Sequence, residues 1–331
     1  MKVVVFDKRE DEEKLFKIWQ EKNPDINLDV YSQALTMDNI DLVKGADTVC
    51  LSSVGKLDDR LYKALKDLGI NVISQRSAGF DMYNLDIMNE LGMKLINVPS
   101  YSPNAIGEFV VASALFFSRN LNHIYENVKN HDFRWQVPIL SKEIRTLTVG
   151  IVGTGRIGRA TAKLFKGLGA KIIGYDLFKS KEAEEILEYV SLDQLYAQSD
   201  IITFHVPATD DNYHMVNEKS IATMKDGVIL VNAARGTILD TKAVLKGLDS
   251  GKIKGAALDV YENEVNLVNT NKTGENINDD LLEEIIARND IVYTPHIAFY
   301  TETALDNLVS FAIDESIKYL KTGKSDSIVN K

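Results

Sequence analysis

Three glycines, Gly153, Gly155 and Gly158, are spaced as G-x-G-x-x-G between an aliphatic run and a helical pattern. After a buried strand, the first would allow a tight turn, the second would let a pyrophosphate approach the backbone, and the third would let the helix pack closely on the sheet. The amide groups at the start of the helix predicted over residues 156–168 would bind the anion. Turns can show the same spacing, but the strand–turn–helix context favours a dinucleotide site.

An acidic residue, Asp176, follows the next aliphatic run about eighteen residues beyond Gly158. Its carboxylate could accept hydrogen bonds from both hydroxyls of an adenosine ribose, and it would repel a 2′-phosphate. Leu177 and Phe178 come next, so no arginine stands there to receive that phosphate. These residues predict NAD rather than NADP as the cofactor.

Reduction of a carbonyl beside such a cofactor needs a proton donor, and histidine suits this task because it titrates near neutral pH. Three of the five histidines lie in polar stretches that predict surface positions: His123, His131 and His214. The other two, His205 and His296, end strand patterns, where the ligand crevice of a parallel sheet opens. Arg235 in VNAARGT and Glu264 in LDVYENE occupy comparable positions.

These stretches resemble the D-specific 2-hydroxyacid dehydrogenase family over nearly the whole chain. The matching motifs are NVPSYSPNAIGE, VGIVGTGRIG, FHVPAT, VNAARGTILDT, ALDVYENE and TPHIAFYTETA. The resemblance implies a catalytic trio of Arg235, Glu264 and His296. In it, His296 would protonate the carbonyl oxygen, Glu264 would orient the imidazole and favour its cation, and Arg235 would bind the substrate carboxylate.

The resemblance also implies binding residues on both halves of the chain. The amide groups of Ala78 and Gly79 would form an anion nest for the substrate carboxylate, with Tyr101 and Phe299 as pocket walls. The NAD site would comprise Gly153, Thr154, Gly155, Arg156, Ile157, Gly158, Asp176, Val206, Pro207, Asn212, Ala233, Ala234 and Asp259. Arg156 has an alternative interpretation as a solvated residue at the helix start, and His205 could border the nicotinamide without transferring a proton. No metal site is expected.

Ser52 departs from the family pattern at a position that bears on substrate size. Relatives that prefer lactate often have a tyrosine there, and a serine leaves more room beside the substrate side chain. The stretches RSAGFDMY and YENE still resemble lactate-forming members, so NADH-dependent reduction of pyruvate to D-lactate is the leading expectation. Broader action on branched or aromatic 2-oxoacids is the first alternative, and a non-catalytic NAD-sensing protein is the second.

Short aliphatic runs alternate with helical patterns along the whole chain, which predicts βαβ units and parallel sheets. The strand patterns are VVVFD, LDVYS, DTVCLSS, NVISQR and KLINVP in the first part, then LTVGIVG, AKIIGYD, DIITFHVP, GVILVNAARG, GAALDVYE and DIVYTPH in the second. A long amphipathic helix is predicted over residues 301–320.

The family resemblance implies an α/β fold with two Rossmann-like or flavodoxin-like parallel-sheet domains. A doubly wound NAD-binding domain, residues 101–299, would be inserted into a discontinuous substrate domain of residues 1–100 and 300–331. An apolar helix that follows Pro103 is a candidate hinge and partner-binding element. If exposed, it would indicate a dimer; the alternative is a buried core helix.

Charge and composition restrict the partners and the compartment. A net charge of −10, from 38 basic and 48 acidic residues, argues against nucleic acid or an anionic membrane as a partner. The single cysteine, Cys50, lies in an apolar run and is expected in the core of a protein from a reducing cytosol. The N-terminus has too few apolar residues for a signal peptide, and the longest apolar run is too short for a membrane span. We therefore expect a cytoplasmic homodimer that acts on a small molecule.

Overall fold

The computed structural model describes residues 1–330, which form two compact units. The first unit contains Met1–Ser102 and the chain from Tyr300 onward, and the second is Pro103–Phe299. Each unit has one parallel sheet packed against helices, which confirms the predicted α/β fold class. No helix among residues 1–330 is both long and apolar enough to cross a membrane.

The sheet of the first unit has five strands: β1 (Lys2–Val5), β2 (Asn27–Val30), β3 (Thr48–Leu51), β4 (Val72–Gln75) and β5 (Lys94–Ile96). All neighbours are parallel, in the flavodoxin-like order β2-β1-β3-β4-β5. Every residue of β3 and β4 is buried, as expected for strands covered on both faces. Cys50 lies in β3 and is buried, as predicted.

Three helices connect these strands: α1 (Glu13–Lys22), α2 (Asp59–Asp67) and α3 (Leu85–Glu90). Asp58 caps α2 and Asn84 caps α3, each through a side-chain oxygen that accepts an amide hydrogen bond from the first turn. Such caps satisfy amide groups that have no partner inside the helix, and they therefore mark where each helix begins.

The sheet of the second unit has seven strands: β6 (Thr148–Val152), β7 (Lys171–Tyr175), β8 (Glu188–Tyr189), β9 (Ile201–Phe204), β10 (Val228–Asn232), β11 (Ile253–Leu258) and β12 (Ile291–Tyr293). They are parallel, in the order β12-β11-β10-β9-β6-β7-β8. This is the doubly wound Rossmann order with one additional strand at the edge. Every predicted strand pattern overlaps an observed strand. Strand β8 was missed because two residues show no periodicity.

Eight helices surround this sheet: α4 (Pro103–Ser118), α5 (Leu121–Lys129), α6 (Arg156–Gly167), α7 (Lys181–Glu184), α8 (Leu192–Gln198), α9 (Glu218–Thr223), α10 (Thr241–Asp249) and α11 (Asp280–Ala287). The apolar helix α4 packs on α6, β10 and β11 within the unit. A Cβ atom at Gly255 would lie 2.4 Å from the Phe117 ring, so α4 sits directly on the sheet. Eight of its sixteen residues are buried, so one face of α4 belongs to the core, and binding of a partner by this helix stays a prediction.

The chain returns to the first unit with α12 (Glu302–Thr322), within two residues of the predicted range. The Thr301 side chain caps its first turn, and Gly323 ends it at a φ of 68°. The helix packs on β4 and α1, where the Trp19 indole donates a hydrogen bond to Asp314 Oδ1 at 2.9 Å. The C-terminal helix therefore completes the core that the N-terminal strands begin.

Candidate active site

The polar residues singled out in the second unit lie along the carboxyl edge of its sheet. Strands β12, β11 and β10 are parallel neighbours, so their C-terminal ends meet there. His296 follows β12, Glu264 follows β11 and Arg235 follows β10. The glycine loop follows β6, which lies between β9 and β7 where the strand order reverses. Crevices at such switch points are the usual ligand sites of doubly wound sheets.

The three glycines of the loop have different steric roles. Gly153 has a φ of 90°, and a Cβ atom there would lie 2.6 Å from the carbonyl oxygen of His205. A Cβ atom at Gly158 would lie 1.9 Å from the carbonyl oxygen of Gly153, so helix α6 packs against the turn itself. A Cβ atom at Gly155 would meet nothing within 4 Å. The first and third glycines close the turn, while the second leaves its backbone open to a ligand, which fits a pyrophosphate.

Asp176 is held against the glycine loop. Its Oδ2 accepts hydrogen bonds from the Thr154 amide at 2.6 Å and from the Thr154 hydroxyl at 3.1 Å, and its Oδ1 accepts one from the Phe178 amide at 2.9 Å. A hydrogen bond of 2.6 Å joins the Thr154 hydroxyl to that of Tyr189 on β8. The carboxylate is fixed in orientation and keeps acceptor capacity for ribose hydroxyls. No sequence pattern indicated Tyr189, because it lies on the missed edge strand β8.

Glu264 and His296 form a carboxylate–imidazole pair. The Nδ1 of His296 lies 2.8 Å from Glu264 Oε1, and Glu264 Oε2 accepts the Tyr261 amide at 2.9 Å. The His296 side chain is 36% exposed and that of Glu264 is 13% exposed. With Nδ1 donating to the carboxylate, the imidazole orientation is fixed and Nε2 is the nitrogen left to meet a substrate.

Asp259 shapes the turn that carries His296. It is 2% exposed, and its carboxylate accepts hydrogen bonds from the Thr294 hydroxyl at 2.6 Å and from the amides of Ile297 and Ala298 at 2.9 Å each. Its carbonyl oxygen accepts the His296 amide at 2.7 Å. Burial raises the pKa of Asp259, and these hydrogen bonds oppose that rise. The expected role at the nicotinamide stays a prediction; the observed contacts hold the turn over residues 294–298.

Arg235 begins the short 3-10 turn Gly236–Ile238 and is positioned through its backbone. The Nδ2 of Asn232 donates a hydrogen bond to the carbonyl of Arg235 at 2.8 Å, and its Oδ1 accepts one from the backbone amide of Ala234 at 3.0 Å. The guanidinium donates to the carbonyl of Ala234 at 2.8 Å. Asn232, which ends β10 and is fully buried, was missed because a polar residue inside an aliphatic run shows no partner in the sequence.

His205 lies at the end of β9, but its environment differs from that of His296. Its Nε2 lies 2.9 Å from the Thr203 hydroxyl, and its amide donates to the carbonyl of Val152 at 2.7 Å. Burial lowers the pKa of His205 to about 3. The ring is therefore neutral near pH 7 and cannot serve there as a cationic acid, which leaves His296 as the histidine suited to that task.

The remaining expected NAD residues lie near the same edge. Arg156 and Ile157 begin helix α6, Val206 and Pro207 follow β9, and Ala233 follows β10. Asn212 ends a short 3-10 helix, where its side chain accepts the Thr209 amide at 2.9 Å and donates to the carbonyl of Pro207 at 2.7 Å. Among residues 1–330, no group of three or more His, Cys, Asp or Glu residues could hold a metal ion.

The expected substrate nest of the first unit is a constrained turn after β4. The Ser77 hydroxyl donates to the carbonyl of Gly79 at 2.6 Å, and the side-chain Nδ2 of Asn97 donates to the carbonyl of Ala78 at 2.7 Å. Arg76, just before the turn, is fully buried and pairs with buried Glu12 at 3.2 Å. Both nest residues therefore have carbonyls fixed by side chains, which orients the peptide groups around them.

The other expected substrate residues are placed as follows. Ser52 follows β3, and its backbone amide lies 3.4 Å from Asp7 Oδ2. The Tyr101 carbonyl accepts a hydrogen bond from the side-chain Nδ2 of Asn307 at 2.6 Å. Both contacts lie within the first unit. Phe299 is the last residue of the second unit.

Comparison with known proteins gives consistent results. Residues 111–298 match the model of the D-isomer specific 2-hydroxyacid dehydrogenase NAD-binding domain. The chain is 46% identical to a D-lactate dehydrogenase of Treponema pallidum over 97% of both chains, and 42% identical to one of Lactiplantibacillus plantarum over 99% of both. Among solved structures, that of the Treponema pallidum enzyme has a TM-score of 0.92 at 45% identity, and that of a D-2-hydroxyisocaproate dehydrogenase has 0.92 at 34%, each with full coverage of both chains. A model match over more than half of the chain, with full-length relatives above 40% identity, shows that this chain belongs to the D-isomer specific 2-hydroxyacid dehydrogenase family, whose NAD-binding domain it contains.

Proposed function

We propose that the protein is a D-lactate dehydrogenase that reduces pyruvate to D-lactate with NADH, in a reversible reaction. The observation that carries the proposal is the Glu264–His296 pair at 2.8 Å, whose residues follow the neighbouring strands β11 and β12, while Arg235 follows β10 on the other side of β11. A carboxylate-held imidazole and a guanidinium are the groups that a 2-oxoacid needs, one for its carbonyl oxygen and one for its carboxylate. The relatives named D-lactate dehydrogenase support pyruvate as the substrate.

Bound NADH supplies the hydride that reduces the carbonyl carbon. Residues of the glycine loop would hold its pyrophosphate and Asp176 its adenosine ribose. His296 donates a proton from Nε2 to the substrate oxygen, while its Nδ1 hydrogen stays bonded to Glu264. The negative Glu264 stabilises the imidazolium before the transfer and keeps the ring oriented after it. In the direction of D-lactate oxidation, neutral His296 accepts the hydroxyl proton.

Two measurements test the proposed function. Loss of NADH absorbance on addition of pyruvate is expected, and a chiral assay should identify the product as D-lactate. Tight NADH binding without turnover of any 2-oxoacid would instead support a sensing protein.

We assign the second unit as the NAD-binding domain and the first unit as the discontinuous substrate domain.

Glu264→Gln separates the charge of Glu264 from its hydrogen bond. The amide oxygen can still accept a hydrogen bond from Nδ1, but the imidazolium that donates the proton loses its counter-charge. We therefore expect kcat/KM for pyruvate reduction, measured by NADH oxidation, to fall. Glu264→Asp, which keeps the charge, is the control and should lose less activity. An unchanged kcat/KM in Glu264→Gln would contradict this role.

A broader substrate range is the second candidate, and it has a specific observation in its favour. Ser52 is a small residue at the carboxyl end of β3, and the D-2-hydroxyisocaproate dehydrogenase structure is as similar in fold as that of the D-lactate dehydrogenase. We expect Ser52→Tyr to lower kcat/KM for 2-oxoisocaproate and phenylpyruvate at least tenfold more than for pyruvate, because added bulk excludes the larger side chains. Ser52→Ala is the control, and equal losses on all three substrates would contradict the prediction.

A homodimer is also part of the proposal, and the apolar strip formed by Phe133, Trp135, Val137 and Leu140 supports it. These side chains lie in the connection between α5 and β6 and are 72 to 100% exposed. Several large exposed apolar side chains within one short segment are typical of an interface. The apolar strip is the surface that we assign to the partner subunit. A cytoplasmic, fermentative role completes the proposal.

Trp135→Glu tests the dimer. A charge on the most exposed residue of the apolar strip would be costly to bury, so we expect the variant to elute as a monomer in size-exclusion chromatography with light scattering. Ile286→Glu, at a half-exposed position on α11, is the matched control and should leave the mass unchanged. A Trp135→Glu variant that keeps the dimer mass would rule out the strip as the interface.

A further inference from the structure

A second histidine–glutamate pair lies beside the turn that carries Arg235. The Nε2 of His214 lies 3.1 Å from Glu262 Oε2, and their side chains are 25% and 18% exposed. The ring of Tyr213 stacks on that of His214 with centroids 3.9 Å apart and planes 16° apart. His214 was expected at the surface, and its side chain is partly exposed, but its imidazole is covered on one face and paired at its edge.

The backbone of His214 is joined to the Arg235 turn. Its amide donates a hydrogen bond to the carbonyl of Thr237 at 2.9 Å, and the amide of Val216 donates one to the carbonyl of Ile238 at 3.1 Å. His214 has a φ of 49°, a left-handed conformation that a residue other than glycine keeps only when its surroundings hold it. The carbonyl of His214 accepts a hydrogen bond from the side-chain Nδ2 of Asn217 at 2.8 Å, so the backbone of His214 is also held by the residues that follow it.

Glu262 belongs to the segment that carries Glu264. The backbone of Tyr261 and Glu262 packs directly on the Arg235 turn, because a Cβ atom at Gly236 would lie 2.2 Å from the carbonyl carbon of Tyr261 and 2.4 Å from the Glu262 amide nitrogen. The Tyr261 amide in turn donates to Glu264 Oε2. One short segment therefore touches the Arg235 turn on one side and holds Glu264 on the other.

We propose that His214 and Glu262 are positioning residues that lock the turn over residues 235–238 onto the segment over residues 261–264, and so set the place of Arg235 relative to Glu264 and His296. This inference rests on the proposed function, in which Arg235 binds the substrate carboxylate. A partly exposed side-chain pair of this kind contributes little to global stability. Its loss acts instead on substrate recognition, because a guanidinium fork binds a carboxylate well only in a narrow range of positions.

The test uses two variants that break the pair and two that keep it. His214→Asn tolerates the left-handed backbone but is too short to reach Glu262, and Glu262→Ala removes the acceptor. His214→Gln retains a donor of similar reach, and Glu262→Gln retains the acceptor without its charge. We expect the first two to raise KM for pyruvate, and Kd for its isostere oxamate in the NADH complex, about tenfold, with kcat within about threefold of wild type. NADH affinity should be unchanged, and the two glutamine variants should stay near wild type.

Coupling and local exchange complete the test. The double variant His214→Asn/Glu262→Ala should be no worse than either single variant, because one interaction is lost in all three. Hydrogen exchange of residues 235–240 should accelerate in the breaking variants, while the melting temperature hardly changes. A lower melting temperature with unchanged KM, additive losses, or unchanged exchange over residues 235–240 would overturn the proposal. The exchange measurement needs no turnover, so it remains decisive even if wild-type protein reduces no 2-oxoacid and the proposed function fails.

Discussion

We expect His296→Asn to lower kcat for pyruvate reduction by three to four orders of magnitude and to leave NADH binding nearly unchanged. A positioned general acid contributes about 10²–10⁴ to the rate, and His296 additionally supplies the positive charge next to the developing alkoxide. Asparagine is the appropriate replacement because His296 has a φ of 58°, and asparagine tolerates this conformation better than alanine. The rate loss can then be assigned to the missing imidazole rather than to a distorted turn.

The measurement is kcat by NADH oxidation together with NADH Kd by fluorescence titration. His123→Ala, which changes an exposed histidine on α5, is the control and should retain wild-type kcat. His205→Asn should also retain most activity, since the neutral imidazole of His205 does not supply the proton. A His296→Asn variant within tenfold of the wild-type kcat would remove His296 from the proton transfer and, with it, the central element of the proposed function.

Arg235→Gln is expected to have the second largest effect, a loss of about 10²–10³ in kcat/KM for pyruvate. Truncating one partner of a charged, hydrogen-bonded pair costs about 2–5 kcal/mol, part of which comes from the carboxylate that is left without its partner. The loss should appear mainly in KM, and Kd for oxamate should rise in parallel. Glutamine keeps much of the side-chain length, so packing changes little while the charge and the bidentate fork are lost.

Arg235→Lys is the informative companion variant. It restores the charge without the planar fork, so we expect it to recover less than half of the loss on a logarithmic scale. Added guanidinium ion should partly restore Arg235→Gln. If Arg235→Gln bound oxamate as tightly as wild type, the substrate carboxylate would have to be bound elsewhere, and the assignment of Arg235 would be wrong.

The glycine loop and Asp176 could be predicted from the sequence because a βαβ unit is a local structure. The steric demands on Gly153 and Gly158 arise from residues that are close along the chain or from the next strands, and glycine is the residue that satisfies them. The strand patterns were equally readable, since strands buried on both faces are continuous aliphatic runs. The identity of the residues that end these strands then pointed to Arg235, Glu264 and His296.

The side-chain partners could not be read in this way. Asn232 holds the Arg235 turn and Tyr189 lies against Thr154, yet each is an ordinary polar residue in the sequence. Asp259 was expected in the NAD site, but no pattern indicated its hydrogen bonds to the turn that carries His296. His214 was predicted to lie on the surface, because its neighbours along the chain are polar. The apolar pattern of α4 was compatible with a core helix or an interface. An apolar helix face predicts that the face is buried, but it does not identify the surface that packs against it.

The amino-acid order alone thus determined the fold class, the cofactor loop and the residue types available for chemistry, because periodicity, glycine sterics and strand ends are local properties of the chain. The pairing of Glu264 with His296, the low pKa of His205 and the second pair of His214 with Glu262 arose only once β9, β10, β11 and β12 lay side by side. Strand order and register are set by long-range packing, and a difference of one strand would place these same residues too far apart to interact.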